Sequence, residues 1–312
     1  MKDLFKNCYC VDIEGEWYIP RRYTVNQRKE YSRSEYSLIR CDSPASVCLA
    51  FYSKAKSIKI EYEIGGKARD WAYFDVVTNG VLTFSKEVIE DKGVVELTLS
   101  GNENDKTEIF LPHLVVVKIK TPIANEPLIP IKENKKFWLA IGDSITQGMV
   151  AKHPSFTYPV NVARVMGYEL LNWGVGGDSF NAKQLDFVGR EPDLITIALG
   201  CNDWDHFSLC DIQKNVTEYV EKLCTLYKCR NIYGILPIWR SDAEEIKNDI
   251  TFEDCRNAIK AIYKKYDFIK IIDGYKLVPH KEEFFGDPEE LKVHPSDNGF
   301  LYYSLRLIGE LK

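Results

Sequence analysis

An apolar run that ends in a turn is the feature of this sequence that most constrains its fold. Phe137 to Ile141 are consecutive apolar residues, which is typical of a strand buried on both faces. Gly142 and Asp143 then supply turn-forming residues, Ser144 falls on the turn, and a helical pattern begins soon after. A serine between a core strand and a helix either caps that helix or offers its hydroxyl as a nucleophile near oriented backbone N–H groups. The stretch alone leaves both interpretations open.

The residues before this stretch follow the period of β-strands. Residues 57–64 alternate between apolar and polar side chains, Asn79-Gly80 is a strong hairpin signal, and further strands are predicted at 94–99 and 114–119. No helix is predicted in this part, and the basic and aromatic residues 1–40 are interpreted as a solvated strand-and-loop region. Several short strands joined by turns indicate a β-sandwich.

The pattern changes after a segment rich in proline and charge at 121–135. Strands then alternate with helices, and the clearest helix is the apolar stripe from Ile212 to Tyr227. This alternation indicates an α/β domain with a parallel sheet and helices on both faces. We therefore predict a β-sandwich domain at 1–130 and an α/β domain at 131–312. The predicted strands of the second domain are 137–142, 168–173, 193–200, 231–238 and 268–273.

The composition limits the classes of binding partner that we expect for the protein. The net charge of -5 gives no electrostatic reason to expect nucleic acid or an anionic membrane, and no apolar run approaches the length of a membrane span. Residues 1–7 lack the apolar region of a secretory signal. The nine cysteines are odd in number and lack metal-ligand spacing. We expect reduced thiols, no metal, no cofactor and a cytoplasmic location, and a homo-oligomer is left open.

Four short motifs follow predicted strands, which is where ligands bind in a parallel α/β sheet. Ser144 follows the first strand, residues 174–179 the second and residues 200–203 the third, while His294 lies after the fifth strand and before the last helix. Each alone is a weak signal, since a lone histidine is more often structural and residues 174–176 only begin a dinucleotide-binding fingerprint. Together they supply a nucleophile, a base, a glycine that allows close approach and an amide donor, which acyl transfer needs.

These motifs resemble the ordered sequence blocks of the SGNH (GDSL) hydrolase family. The blocks are Gly142-Asp143-Ser144-Ile145, Gly177, Gly200-x-Asn202-Asp203 and His294-Pro295. The resemblance covers residues 136–312 and implies a flavodoxin-like hydrolase domain with three α/β/α layers. The β-rich part resembles the accessory domain of the two-domain carbohydrate esterases of that family, an all-β, jelly-roll-like sandwich. That second match rests on architecture.

The resemblance implies roles for individual residues. Ser144 would be the nucleophile and His294 the general base. The oxyanion would be held by the backbone N–H groups of Ser144 and Gly177 and by the side-chain amide of Asn202. The physical chemistry agrees, because a serine hydroxyl is a poor nucleophile until a base takes its proton. A fixed donor at the developing oxyanion is worth about 3 kcal/mol. Asp143 is interpreted as a turn former.

The acid of the family's catalytic triad is missing from its usual position. The family places an Asp three residues before the His, where it orients the imidazole, and this position is Leu291 here. Residues 284–287 read like the family's segment before the His, with 288–292 as a short insertion. We favour Asp287 and then Glu290, and a Ser–His dyad is the third alternative. The acidic residues near the His are Asp287, Glu289 and Glu290.

Two tryptophans are predicted to contact substrate. Trp204 follows the Asn202 motif and Trp239 follows the fourth predicted strand, and indole faces stack on sugar rings, although packing is a common role for both. His153 follows the serine turn and either lines the pocket or lies in a solvated loop.

The expected function is that of a serine esterase. We expect hydrolysis of a small acyl ester, acetyl being favoured, on a carbohydrate, with a small molecule or an oligosaccharide ester as substrate. One alternative is a lysophospholipase or thioesterase that acts on longer acyl chains. Another is a catalytically impaired glycan-binding protein, in which Leu291 marks the loss of activity. Transfer of the acyl group to a sugar hydroxyl would use the same site.

Overall fold

The antiparallel sheets of the first part of the chain end at Pro130, and a parallel sheet begins at Lys136. The structure is a computed structural model and describes residues 1–288 and 290–312. The strands of the first part are β1 (Phe5–Lys6), β2 (Cys10–Glu14), β3 (Trp17–Arg21), β4 (Cys48–Tyr52), β5 (Ser57–Lys67), β6 (Tyr73–Thr78), β7 (Val81–Glu87), β8 (Lys92–Thr98), β9 (Thr107–Phe110), β10 (Val115–Ile119) and β11 (Ile129–Pro130).

These strands form two antiparallel sheets packed as a sandwich. One sheet has the order β1-β4-β9-β6-β7, with β11 paired to β4, and the other has the order β2-β3-β10-β5-β8. Both sheets contribute to one buried cluster, with Phe51 and Val76 from the first and Ile60 and Val117 from the second. The all-β sandwich expected from the alternating pattern is confirmed.

The predicted hairpin turn lies between β6 and β7. Asn79 and Gly80 both have positive φ, 50° and 84°, as the turn that matches the twist of two antiparallel strands requires. Thr78 pairs with Val81 across this turn.

Two helices in the first part contradict the expectation of a solvated strand-and-loop region. They are α1 (Val25–Tyr31) and α2 (Glu35–Asp42). Thr24 and Gln27 form a capping box at the start of α1, and Ser34 caps α2. The helices have only 7 and 8 residues, and the residues they bury include Gln27 and Arg40, so they lack an aliphatic stripe that would reveal them.

The second part contains the parallel sheet. Its strands run β13-β12-β14-β15-β18, which is the flavodoxin-like order and confirms the predicted fold class. The strands are β12 (Lys136–Gly142), β13 (Tyr168–Gly174), β14 (Leu194–Ala198), β15 (Ile232–Ile235) and β18 (Ile269–Ile272), with a small hairpin formed by β16 (Ile246–Lys247) and β17 (Ile250–Thr251). The helices are α3 (Ser144–Gln147), α4 (Tyr158–Met166), α5 (Cys201–His206), α6 (Leu209–Leu226), α7 (Phe252–Tyr263) and α8 (Asp297–Glu310).

The longer helices pack in pairs, α4 with α8 and α6 with α7. The apolar stripe of α6 is buried as predicted, and Thr251 caps α7. In α8 the buried face carries Phe300, Tyr303 and Leu307, whereas Leu301 and Leu305 are exposed. In the part of the chain that the structure describes, none of the helices combines the length and apolarity needed to cross a bilayer.

A buried carboxylate joins the two parts. Asp75 of β6 is fully buried, and its side chain accepts hydrogen bonds from Ser155 Oγ at 2.7 Å and from the Ser155 N–H at 3.1 Å. It also lies 3.1 Å from His153 Nδ1 and accepts a bond from Ser85. Burial opposes ionisation of Asp75, but these hydrogen bonds outweigh it and hold its pKa below the usual value. His153 is therefore part of the contact between the two parts of the chain.

This contact predicts a pH-dependent stability. The hydrogen bond to Asp75 raises the pKa of His153 above 6.5. The contribution of this contact to the stability of the fold is therefore complete below pH 6.5, and it is lost as the pH rises through the raised pKa. We expect His153→Gln to lower the free energy of unfolding more at about pH 5.5 than at about pH 8.5, measured in urea. His206→Gln changes an exposed histidine and serves as the control. An equal loss at both pH values would contradict the assignment.

Candidate active site

The turn after β12 fixes the position of Ser144. Asp143 is almost fully buried, and its Oδ1 accepts the Ile145 N–H at 2.9 Å, which caps the short helix that Ser144 begins. Burial raises the pKa of Asp143 to about 6. At the other end of this helix His113 Nε2 donates to the Gly148 carbonyl at 3.0 Å, and burial lowers the pKa of His113 to about 4. Neutral His113 therefore holds the end of the serine turn from the β-sandwich side.

A chain of hydrogen bonds runs from Ser144 to a buried carboxylate. Ser144 Oγ lies 2.8 Å from His294 Nε2, and His294 Nδ1 lies 2.5 Å from Asp287 Oδ1. Asp287 Oδ2 accepts the backbone N–H groups of Val293 at 2.7 Å and His294 at 2.6 Å. Burial opposes ionisation of Asp287, but the bonds from the His294 ring and from these N–H groups lower its pKa below the usual value. The serine, imidazole and carboxylate have the order and spacing of a Ser-His-Asp triad.

Antiparallel pairing explains why Asp287 reaches His294 from seven residues away. The Gly286 N–H donates to the His294 carbonyl at 2.9 Å, and the Ser296 N–H donates to the Phe284 carbonyl at 2.9 Å. The two segments thus lie side by side. Asp287 comes directly after the paired residues, so its carboxylate faces the imidazole.

The other acidic candidates do not have this position. Glu290 is exposed, and Leu291 is also exposed, at 41%. Glu289 lies outside the described residues. Of the residues near the histidine that the structure describes, Asp287 is the carboxylate that meets the imidazole.

The order of the strands brings the predicted oxyanion donors to the serine. In β12 Gly142 pairs with Gly174 of β13 on one side and with Ala198 of β14 on the other. The turn that carries Ser144 therefore lies between the loop after β13 and the start of α5. This is the position at which strand order reverses, where parallel α/β sheets bind ligands.

The predicted oxyanion donors have N–H groups that bind no acceptor among the described residues. Asn202 Nδ2 donates to the Asp178 carbonyl at 2.7 Å, which uses one of its two N–H bonds and ties α5 to the loop after Gly177. Within the described residues, the backbone N–H groups of Ser144 and Gly177 have no acceptor. The three predicted donors thus lie on the serine turn and on the two segments that follow the neighbouring strands.

Sequence reasoning missed the side chains that hold this loop. Gln147 is fully buried, its Oε1 accepts the Gly176 N–H at 2.8 Å, and its Nε2 donates to the Arg40 carbonyl at 3.0 Å. Gln147 thereby connects the glycine loop to α2 of the β-rich part. No sequence signal separates this glutamine from a solvent-exposed one.

Arg22 was also missed, because in the sequence it belongs to a basic and aromatic run interpreted as solvated. Its side chain is buried, and its guanidinium donates to backbone carbonyls on both parts of the chain. The acceptors within 3.0 Å are Arg40, Ser43, Asn172 and Gly174.

The two predicted substrate tryptophans have different environments. Trp204 is fully buried, its Nε1 donates to the Ile250 carbonyl, and its ring packs on Phe252, so it offers no face to a sugar. This burial contradicts the prediction that Trp204 contacts substrate. Trp239 is half-buried beside the histidine segment, stacked on His280 and edge-on to Phe285. Its contact with substrate stays a prediction.

Comparison with known families agrees with the fold and the site. Residues 140–300 match the GDSL-like Lipase/Acylhydrolase family, which is just over half of the chain. The protein belongs to this family and is a hydrolase of the SGNH type. A search of curated proteins by sequence found no match.

Solved structures share the fold over most of this chain. The salicylyl-acyltransferase SsfX3 from a tetracycline biosynthetic pathway is 20% identical with a TM-score of 0.83, over 98% of this chain and 94% of that one. A family two carbohydrate esterase from Clostridium thermocellum, in complex with cellohexaose, is 16% identical with a TM-score of 0.64, over 85% and 91%. The acetyl xylan esterase Est2A from Butyrivibrio proteoclasticus is 12% identical with a TM-score of 0.63, over 85% and 88%. At these identities the likeness concerns the fold.

The carboxylate contact predicts which acidic residue matters for activity. Asp287→Asn replaces an ionised acceptor by an amide that cannot select the same tautomer of His294, so we expect kcat to fall, with a ~10⁴-fold loss as the upper limit. Glu290→Gln is the matched control and should stay within about twofold of the wild type. Steady-state hydrolysis of a chromogenic acetate ester measures both. An unaffected Asp287→Asn would assign the site to a Ser–His dyad.

The bridge made by Gln147 predicts a positioning effect. Gln147→Met removes the acceptor of the Gly176 N–H and one of the two hydrogen bonds to the Arg40 carbonyl, so the glycine loop should shift. We expect kcat to fall about 10- to 100-fold with KM changed less than about threefold, because the loop acts on the transition state. Gln147→Glu keeps the acceptor for Gly176 and should recover part of kcat. A change confined to KM would contradict a role in positioning the oxyanion loop.

Proposed function

We propose that the protein is a serine esterase that hydrolyses a small acyl ester, with an acetyl ester of a carbohydrate as the favoured substrate. The observation that carries the proposal is the hydrogen-bond chain of Ser144, His294 and Asp287 beside backbone N–H groups that have no acceptor among the described residues. A hydroxyl, a base that can accept its proton and donors for an oxyanion are what ester hydrolysis through an acyl-enzyme requires.

The proposed reaction begins with attack of Ser144 Oγ on the ester carbonyl while His294 Nε2 takes the hydroxyl proton. The N–H groups of Ser144 and Gly177 and the amide of Asn202 receive the oxyanion of the tetrahedral intermediate. His294 then gives its proton to the leaving alkoxide, and the acyl group stays on Ser144. Water enters, loses a proton to His294 and releases the acid by the same steps. Asp287 keeps the imidazole oriented and stabilises the imidazolium.

The substrate part of the proposal is supported by analogy. One of the structures with this architecture is named as a family two carbohydrate esterase, and another is named as an acetyl xylan esterase. The partly accessible Trp239 beside the histidine segment supplies an aromatic surface of the kind that sugar rings contact. The cytoplasmic location and the domain boundary at residue 130 stay predictions.

The test is hydrolysis of 4-nitrophenyl acetate, butyrate and octanoate by the wild type and by Ser144→Ala. We expect activity to be highest on acetate and to fall at least about 10⁴-fold in Ser144→Ala, since the nucleophile is removed. Ser100→Ala changes an exposed serine and is the control. A preference for octanoate would favour the longer-chain alternative, and activity that survives in Ser144→Ala would overturn the nucleophile.

Acyl transfer is separated from hydrolysis in the same assay. One structure with this architecture is named as an acyltransferase, and an acyl-enzyme can pass its acyl group to an alcohol as well as to water. Addition of xylose or cellobiose leaves the yield of free acetate unchanged if water is the acceptor. Acetylated sugar in place of free acetate would show transfer.

A further inference from the structure

A buried guanidinium that has no ion-pair partner among the described residues lies beside the oxyanion loop. Arg40 of α2 is only 4% exposed. Its Nη1 donates to the Tyr36 carbonyl at 3.0 Å, while its Nε is buried without a partner. Among the described residues, no carboxylate forms an ion pair with Arg40, and burial lowers the pKa of its guanidinium. An unpaired buried charge is costly unless a ligand supplies the opposite charge.

This guanidinium is directed at the loop that follows β13. A Cβ on Gly176 would lie 2.8 Å from Arg40 Nε, so the side chain rests directly on the glycine that precedes the proposed oxyanion donor. On Gly177 a Cβ would lie 3.5 Å from the ring of Tyr36. Arg40 also stacks on the Tyr36 ring, which is 56% exposed. Tyr36 therefore links the buried cation to the exposed Gly177.

The acidic residue nearest in sequence to this loop does not neutralise Arg40. Asp178 follows Gly177, but its carboxyl group accepts hydrogen bonds from the Tyr31 hydroxyl at 2.6 Å and from Gln184 at 3.1 Å. Burial raises the pKa of Asp178 to about 8. The Asp178 carboxyl group is therefore engaged by Tyr31 and Gln184, and no carboxylate among the described residues forms an ion pair with Arg40.

We infer that Arg40 binds a carboxylate carried by the substrate. The inference rests on the proposed function, because it concerns the substrate of that same site. A guanidinium presents parallel N–H donors that match the two oxygens of a carboxylate, and such a pair is strong where water is excluded. The favoured substrate is therefore an acidic ester, whose carboxylate belongs either to the alcohol, as in an acetylated uronic acid, or to the acyl group, as in a half-ester of a dicarboxylic acid.

The test compares charged esters with neutral ones of the same shape. The alcohol pair is 4-acetoxybenzoate and 4-acetoxybenzamide, and the acyl pair is 4-nitrophenyl adipate and 4-nitrophenyl adipamate. For each pair the readout is the ratio of kcat/KM for the charged ester to kcat/KM for the neutral one. We expect the wild type to favour the charged member of one pair, which identifies the source of the carboxylate, and Arg40→Gln to lower that ratio about 10- to 100-fold.

The ratio distinguishes binding of charge from packing. If Arg40 only supports the glycine loop, Arg40→Gln lowers activity on both members alike and the ratio stays constant, which would overturn the inference. Arg33→Gln removes the same charge from a mostly exposed side chain on the adjoining segment and is the control, with an unchanged ratio expected. A wild-type ratio at or below one in both pairs would also overturn the inference, while esterase activity on the neutral members would leave the proposed function intact.

A binding measurement covers the case in which no ester is hydrolysed. Titration calorimetry of Ser144→Ala with intact 4-acetoxybenzoate and 4-nitrophenyl adipate, beside their amides, needs no turnover. We expect one charged ligand to bind at least about tenfold more tightly than its amide, and the double variant Ser144→Ala, Arg40→Gln to lose this preference. Equal affinity for charged and neutral ligands would contradict the inference whatever the activity.

Discussion

The structure depends on the hydrogen bonds that the buried guanidinium of Arg22 donates to backbone carbonyl groups. Two of them, of Asn172 and Gly174, lie at the end of β13, and two others, of Arg40 and Ser43, lie at the end of α2. Orphaned carbonyls at a buried helix end and strand end are costly, and a single planar group with several donors satisfies both sets. The loop after β13 is therefore fixed to the β-rich part of the chain, and the site is a product of both parts.

The site then follows from a hierarchy of constraints. The parallel sheet places the serine turn between two loops, Asp143 and His113 hold the two ends of that turn, and Gln147 holds the glycine loop against α2. His294 comes from far along the chain and is kept in place by a short antiparallel pairing that also delivers Asp287. Each reacting group is thus supported by hydrogen bonds to a neighbouring element, so little reorganisation is needed when charge develops on the substrate.

Much of this arrangement is readable from the sequence, for identifiable reasons. The apolar run of β12, the Asn79-Gly80 turn and the stripe of α6 are local patterns, and local patterns predict elements. The order of motifs after strands places the serine, Gly177, Asn202 and the histidine at one edge of the sheet. The sequence favours Asp287 over Glu290 as the triad acid, but the pairing that brings Asp287 to His294 depends on contacts that residue spacing does not predict.

The wrong predictions from the sequence have a common physical cause. Whether a polar residue is buried depends on tertiary contacts, which the local sequence does not show. Arg22, Arg40 and Gln147 are buried through partners far away in the chain, so each reads as a surface residue. The prediction for Trp204 has the opposite error, because the residue is predicted to be accessible but is buried. Its position after a motif suggests exposure, whereas its ring packs on Phe252 and its Nε1 donates to the Ile250 carbonyl. Helices α1 and α2 were missed since their caps are clear but their buried residues are polar.

The most direct test of the account is to look for the acyl group on the protein. Wild-type protein mixed with 4-nitrophenyl acetate and quenched in acid within one turnover can be weighed intact and then mapped by peptide mass spectrometry. The account predicts one added acetyl group, on the peptide that contains Ser144, and a loss of that group as acetate appears. Hydrolysis with no covalent adduct, or an adduct on another residue that keeps pace with turnover, would contradict it.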